Sequence, residues 1–492
     1  MKQPVPHETA GPPRPPGPHA PAGRTAKGLE AWRLRFRCVI PAMLVFGGFG
    51  VLQGDAPRAS PLSVFVSVVW TLPLGIALLG FAGARTAART ARTAPAGTAD
   101  PGARIGDLLV VVVPTIGRSD VYPALERSVL SYCAHLPASF GQFRVDIVIE
   151  QDCQTRDAIR ALAQACPQVR VVEVPRAYRT PAGTRFKARA NHFAHEQRIA
   201  DGEDRVDVWV LHMDDDTGIG PDTATALAGF IAVQDRVAAA GGPVKHLAQG
   251  VLAFPREHAR SRFTWLADAL RPSDDLSRFC LMTGSGTPRA GLHGELLLIR
   301  GSCEAEIGWD FGPDTIVEDT QFALHFMARF PGASGWFLGR SYGASPAGVG
   351  DFLRQRERWA WGLVGLALDR GYPLRHRAFI GYGLACSVLG PLQHVFTLQL
   401  FAWLLQDTIR PPYWGIAFLW SVSMTYQVWL YWEGLRVNAG VSRHARRHWY
   451  EAAAVVVLLP VFGLLEGLGC LRGFLKYLAD EQKTFTVIPK PA

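Results

Sequence analysis

Apolar residues along this chain fall into zones with different periods. Between residues 105 and 375, short apolar runs alternate with helical patterns. The runs at 108–113, 145–149, 169–174, 206–211, 246–254 and 295–299 read as strands. The stretches at 121–133, 188–200 and 222–240 read as helices between them. Strands alternating with helices predict an α/β domain with a mainly parallel sheet covered on both faces. Ligands of such sheets bind beyond the carboxyl ends of the strands. Polar residues directly after strands are therefore the candidates for chemistry.

The flanking zones carry long apolar runs. Residues 38–52 and 62–82 predict a transmembrane hairpin over 36–84. Residues 379–405 and 414–435 predict a second over 378–436. A bilayer span takes about 20 apolar residues. A further segment over 449–478 contains Pro460 and Glu466 and is basic on both flanks, so it reads as a re-entrant piece or a fifth span. An amphipathic interface helix is expected over 351–375. The proline-dense stretch 1–30 predicts a disordered tail without the pattern of a signal peptide. Residues 100–350 form the soluble domain and 479–492 a cytosolic tail.

Composition agrees with this division. Charged residues make up 19% of the 492, below the roughly 25% of an average soluble domain. Mean hydropathy is +0.09, which suits a soluble part joined to a membrane part. Eight cysteines without a CxxC pair exclude a zinc ribbon and a thioredoxin-like motif. The net charge of +9 invites a nucleic-acid reading, but its placement argues against one. Arg33, Arg35 and Arg37, Arg85, Arg89 and Arg92, Arg375 and Arg377, and Arg443, Arg446 and Arg447 all flank apolar runs. That is the positive-inside bias. It predicts an integral membrane protein, in the plasma membrane of a bacterium, with its soluble domain in the cytosol.

Three local signals can carry chemistry. Asp214-Asp215-Asp216 follows a strand-like run. Adjacent carboxylates repel unless something positive sits among them, and a hard divalent cation with a diphosphate meets that need. A solvated acidic turn is the bland alternative. Glu318-Asp319 opens a helical pattern, which the helix dipole favours by itself. As chemistry, one carboxylate would take a proton from an attacking hydroxyl. Gln355-Arg356-Glu357-Arg358-Trp359 lies on a helix, where the arginines could clamp a diphosphate and the tryptophan could face a sugar or the bilayer. Pro114 and Thr115 end the first strand, and Lys187 and Arg189 open a helix suited to phosphate. The absence of GxxxxGK[ST] excludes a P-loop NTPase.

In this order, the acidic triplet, the Glu318-Asp319 pair and the Gln355–Trp359 motif resemble the membrane-bound members of glycosyltransferase family 2. The resemblance spans about residues 105–362. Within that family, the stretches 174–181, 186–190 and 307–312, with His212 before the aspartates, look most like the egghead-type β-1,4-mannosyltransferases. The resemblance implies a Rossmann-like GT-A catalytic domain with α-helical transmembrane segments. It implies an inverting transfer of mannose from GDP-mannose to a membrane glycolipid, with a β-1,4 linkage formed. Asp319 would be the base. Pro114, Thr115 and Glu150 or Asp152 would line base and ribose, and Lys187 with Arg189 would meet the diphosphate. Asp214 and Asp215 would touch the donor, and Asp216 with Asp214 would hold Mg²⁺ or Mn²⁺. Glu318, Gln355, Arg356, Arg358 and Trp359 would complete the diphosphate and acceptor pocket. Alternative readings are a processive UDP-sugar polysaccharide synthase and a non-enzymatic membrane binding module.

Overall fold

Val110 and Val112 face one side of the first strand while Leu109, Val111 and Val113 face the other, and all five are fully buried. A strand apolar on both faces needs a layer of helix on each, and the chain supplies both. The computed structural model describes residues 61–93, 104–406, 414–443 and 449–481, with isolated positions at 39, 43, 44 and 47. The proline-dense tail, most of the first expected span, the 407–413 link and the last eleven residues lie outside the described residues.

In chain order, helices α1 (Pro61–Thr71) and α2 (Leu74–Thr93) precede β1 (Ile105–Thr115). There follow α3 (Tyr122–His135), β2 (Phe140–Glu150), α4 (Arg156–Ala165), β3 (Val169–Val174) and α5 (Phe186–Ala200). Next are β4 (Val208–His212), β5 (Gly218–Ile219), α6 (Pro221–Ala239) and β6 (Leu247–Val251). Short helical turns over 262–284 lead to β7 (Leu297–Arg300), α7 (Gly301–Ile307), α8 (Glu318–Arg329) and β8 (Ser334–Tyr342). The chain continues as α9 (Val349–Leu368), α10 (Leu374–Gln406), α11 (Trp414–Val441) and α12 (Trp449–Leu478).

The eight strands form one sheet in the order β3-β2-β1-β4-β7-β6-β8-β5. β3, β2, β1 and β4 run parallel, as do β6 and β8. β7 is antiparallel to β4 and β6, and β5 is antiparallel to β8. The sheet is thus mainly parallel, with β7 reversed at its centre. One face packs on α3 and α6 through Leu125, Val129, Leu227 and Ile231. The other packs on α5 through Ala190 and Ala194. All six expected strands form, with the two-residue β5 and β8 in addition. β8 is the longer of the two. Its run carries Gly335, Gly339 and Arg340, which break the apolar signal that a strand otherwise leaves in sequence.

The flanking apolar helices dock on the same body. Among the described residues, Val68–Ala88 and Trp449–Leu478 are long and apolar enough to cross a bilayer. α12 runs unbroken through Pro460 for 30 residues. Its seam with α9 is close: a methyl group at Gly473 would lie 2.2 Å from the carbonyl oxygen of Glu357. Arg472 and Lys476 pair with Glu357 across the same seam, at 3.2 and 3.0 Å. Val64, Phe65, Val68, Val457, Val461 and Leu468 are exposed on these helices, an outward apolar surface that a bilayer would cover.

Candidate active site

β4 ends at His212, and the next four residues turn across the sheet's carboxyl edge. The three acids fan out to separate partners. Thr115 at the end of β1 donates to Asp215 at 2.8 Å. Lys187 on α5 bonds Asp214. Asp216 is fully buried and accepts from the Ala344 N–H at 3.3 Å. Each carboxylate is met by a different element, so the fold tolerates three in a row.

Behind the turn lies a buried network that joins His212 and the 307–312 stretch through Glu304, a residue with no sequence signal of its own. Glu304 on α7 accepts from Trp309 at 2.6 Å, pairs with Arg198 at 2.7 Å and bonds His212 Nε2 at 2.7 Å. Burial works against its charge, but Arg198 and His212 outweigh it and hold its pKa well below the usual carboxylate range. Burial in turn pushes the His212 imidazole down. Asp310, next to Trp309, accepts from Ala182 N–H at 2.7 Å and Thr184 Oγ1 at 2.6 Å. Glu304 therefore ties the strand that leads into the acidic triplet to α5, and Asp310 ties its own segment to the loop that leads into Lys187. Glutamates inside α/β domains are too common for one to stand out without its neighbours.

Lys187 opens α5 beneath Phe186, whose φ of 58° is rare for a residue with a side chain. Such strain clusters at functional sites and costs about 1–3 kcal/mol. The ammonium bonds Asp214 and the Gly294 carbonyl, the latter at 3.1 Å, and stands 3.7 Å from Glu318. Burial opposes its charge, yet Asp214 and Glu318 raise its pKa above the ordinary lysine value. A Cβ at Gly294 would lie 2.7 Å from the Lys187 ammonium, so a side chain there would displace the ammonium from its place. Lys187 thus joins the donor side of the site to the acidic pair on α8.

Glu318 and Asp319 occupy the first turn of α8. Burial is the main cause that pushes Glu318 up to about 7, with Asp319 adding to it and Lys187 opposing. Burial raises Asp319 as well, against Lys187, His293 and the Thr320 N–H, which donates to it at 2.7 Å. A carboxylate poised above its usual range is a better base. Desolvation lowers the pKa of Arg358 on α9, and it feels Glu318, Asp214 and Asp319 together.

A cavity of about 840 Å³ gathers these groups. Pro114, Thr115, Glu150, Lys187, Asp214, Asp215 and Asp216 line one end. Glu318, Asp319, Gln355, Arg358 and Trp359 line its middle. From there it continues between α2, α10, α11 and α12, past Gln393, Ser423, Gln427 and Glu466.

Three candidates are placed differently from their expected roles. Arg356 is fully buried and its guanidinium is held by Asp268 and Glu466, the latter at 2.8 Å, with its face over Phe352. It ties α9 to α12, and Arg358 is the motif arginine that faces the acids. Arg189 pairs with Glu150 at 2.5 Å and bonds the Pro175 and Tyr178 carbonyls, so it braces Glu150 from behind. Asp152 is 63% exposed beside Arg176 and is not part of the cavity wall, which leaves Glu150 as the acid near the base end. Trp359 lies under Arg271, whose guanidinium is 4.3 Å from the ring centroid.

The donors near Asp214 and Asp216 are oxygens, the chemistry of a hard cation. Among the described residues, no three His, Cys, Asp or Glu side chains are arranged as a self-sufficient metal cage. The residues fit a cation that completes its shell on a diphosphate.

The chain was compared with known proteins. A model of the family described as glycosyl transferase family group 2 matches residues 209–462, more than half of the chain. The match holds the acidic triplet, the Glu318-Asp319 pair and the Gln355–Trp359 motif. Beta-1,4-mannosyltransferase egh of Drosophila melanogaster is 27% identical over 229 residues, 46% of this chain and 47% of that protein. Beta-1,4-mannosyltransferase bre-3 of Caenorhabditis elegans is 28% identical over 48% of this chain and 50% of its own. The chain spans about half the length of these curated relatives. Among solved structures, mannosyltransferase PcManGT from Pyrobaculum calidifontis, in complex with GDP-Man and Mn²⁺, overlaps at a TM-score of 0.46. It is 16% identical and the overlap covers 85% of this chain and 99% of that one.

Proposed function

Since the chain belongs to glycosyl transferase family group 2, we propose that it is an inverting mannosyltransferase of membranes. It moves mannose from GDP-mannose to a membrane glycolipid and forms a β-1,4 linkage. The observation that carries this reading is the single cavity that holds the acidic triplet, Lys187 and Asp319 and then continues between the apolar helices. A donor site alone would not need that continuation. The β-1,4-mannosyl specificity is supported by the names of the egh and bre-3 relatives and by the egghead-like stretches at 174–190 and 307–312.

Pro114, Thr115 and Glu150 line the end of the cavity that would take guanine and ribose. A carboxylate such as Glu150 suits the N1–H and amino edge of guanine, and a site built around it should reject uracil. Lys187 and Arg358 stabilise the diphosphate as negative charge grows on it. Asp214 and Asp216 would hold Mg²⁺ or Mn²⁺, which supplies further neutralisation of the leaving diphosphate. Asp319 removes the proton from the acceptor hydroxyl, which attacks the anomeric carbon from the face opposite the leaving group. One displacement of that kind turns an α-linked donor into a β-glycoside. Trp359 offers its ring to the acceptor sugar.

The outward apolar surface on α1, α2 and α12 supports a membrane-embedded enzyme, and the basic flanks of the apolar runs support a cytosolic active site. The curated relatives are animal proteins, and nothing ties the membrane to a bacterial surface. The test is a panel of GDP- and UDP-sugars, scored by nucleotide release with and without a detergent-solubilised glucosyl-lipid, with the product linkage mapped by NMR. GDP-mannose with lipid-dependent turnover and a β-1,4 product is expected. A UDP-sugar preference, an α linkage or polymer made without lipid would overturn the reading, the last in favour of a polysaccharide synthase.

A further inference from the structure

His293 stands in the cavity wall one residue before Gly294, and neither the sequence motifs nor the family match gives it a role. Its surroundings are built with unusual care for a loop residue. Nε2 bonds Asp275 Oδ1 at 2.7 Å. Asp275 is 1% exposed, and its other oxygen accepts from the Leu252 N–H at 2.7 Å. The His293 backbone N–H donates to Gln249 Oε1 at 2.9 Å. Gln249 is fully buried, and its amide donates back to the Glu295 carbonyl at 2.7 Å. The Phe279 ring packs against the imidazole with centroids 4.5 Å apart. Leu296, just beyond, holds a φ of 53°, a second strained position in the same short segment.

We infer that His293, anchored by Asp275, is a positioning residue that presents a cationic imidazole to Asp319 and keeps the base ionised. The need for it follows from the acids. Asp319 is largely withdrawn from water and near Asp214, and both features disfavour its anion. Lys187 is shared among Asp214, Glu318 and the Gly294 carbonyl, so it serves Asp319 only in part. The segment that carries His293 lies against the base: a Cβ at Gly294, the next residue, would stand 3.6 Å from Asp319 Oδ2, and the His293 charge, with that of Arg358, favours ionised Asp319. The charged and titratable groups that face His293 are Asp275 from the 275–279 turn, Asp319 from α8 and Arg271 from the turn before it. Burial and Arg271 oppose the charged ring, while Asp275 and Asp319 outweigh them and hold its pKa above the ordinary value. Burial raises the Asp275 carboxyl too, while His293 and the Leu252 N–H act against that rise.

The inference rests on Asp319 being the base, and the experiment keeps the two apart. His293→Gln, Asp275→Asn and Asp319→Asn are assayed on the full chain in detergent, with the donor and acceptor that the sugar panel selects. Removing a cation beside a carboxylate raises its pKa, so more alkaline solution is needed to ionise it. In His293→Gln the acid limb of kcat/KM should move up by about one pH unit, with turnover about tenfold down below the limb and restored above it. Asp275→Asn should move the limb the same way, and donor affinity by calorimetry should stay within about twofold in both variants. An acid limb at the wild-type position in both, or a loss equal at all pH values, would overturn the inference. If neither variant binds donor, the residues are structural and the inference also fails. Undiminished turnover in Asp319→Asn would instead remove the base assignment itself.

Discussion

Asp319 and Asp216 are both acids at the start of turns, and what separates their chemistry is their partners. Asp319 faces Lys187 and His293 with its pKa raised, as a base requires. Asp319→Asn keeps the shape and loses the basicity, so turnover should fall by about 10²- to 10⁴-fold while calorimetric donor binding persists. The pH profile carries its own sign. Burial raises both Glu318 and Asp319, so the acid limb should lie above the usual carboxylate range, and activity should drop as pH falls through it. That limb belongs to the pair, not to either acid alone. Glu318→Gln removes a like charge and should move the limb to lower pH. Asp216 sits beneath the turn, held by the Ala344 N–H. Asp216→Ala, and EDTA on the unaltered protein, should each abolish metal-dependent nucleotide binding in the same calorimeter. Full donor affinity in EDTA would reduce the triplet to a structural turn.

At the scale of elements, α9 shows how one motif serves two purposes. Arg356, Arg358 and Trp359 all border the cavity, but Arg358 feels the acids Glu318, Asp214 and Asp319, whereas the Arg356 guanidinium is held by Asp268 and by Glu466 on α12. Residues i and i+2 on a helix do not face each other, so the two guanidiniums meet different partners. Arg356→Ala would leave buried Asp268 with Arg271 as its remaining partner, at 3.2 Å, a loss that approaches about 3 kcal/mol, the lower end for a broken buried pair. Thermal melting in detergent should show it as a large drop, and donor affinity at low temperature should change far less. A loss of donor binding with an unchanged melt would return Arg356 to the diphosphate. The strands were legible in outline because a buried parallel strand is a short continuous apolar run. β8 was not, because glycines and an arginine interrupt it, and its pairing with β6 is made by the backbone.

At the scale of the whole molecule, the cavity runs from the carboxyl edge of the sheet into the helices that flank it. That path places acceptor chemistry at headgroup height if the apolar belt sits in a bilayer. Cysteines introduced one at a time at Arg92 and Arg375 should then be reachable only from the cytosolic side by a membrane-impermeant reagent. Labelling of either from outside would invert the proposed orientation.

The sequence alone determined the alternation of strand and helix, the apolar flanks and the order of three acidic and basic motifs. These are local properties, set by periodicity and by which residues stand side by side. Only the tertiary structure decided which motif residues meet. Lys187 lies 27 positions from Asp214 and 131 from Glu318, yet one ammonium serves both. Glu304, His293, Asp275 and Gln249 have no motif of their own, and their roles come from partners far away in the chain. Arg356 and Arg189 look like phosphate ligands in sequence and are turned to Glu466 and Glu150 by the fold. A side chain's chemistry depends on what charge it faces and how much water is removed, and both are fixed by packing between elements that the chain order leaves far apart.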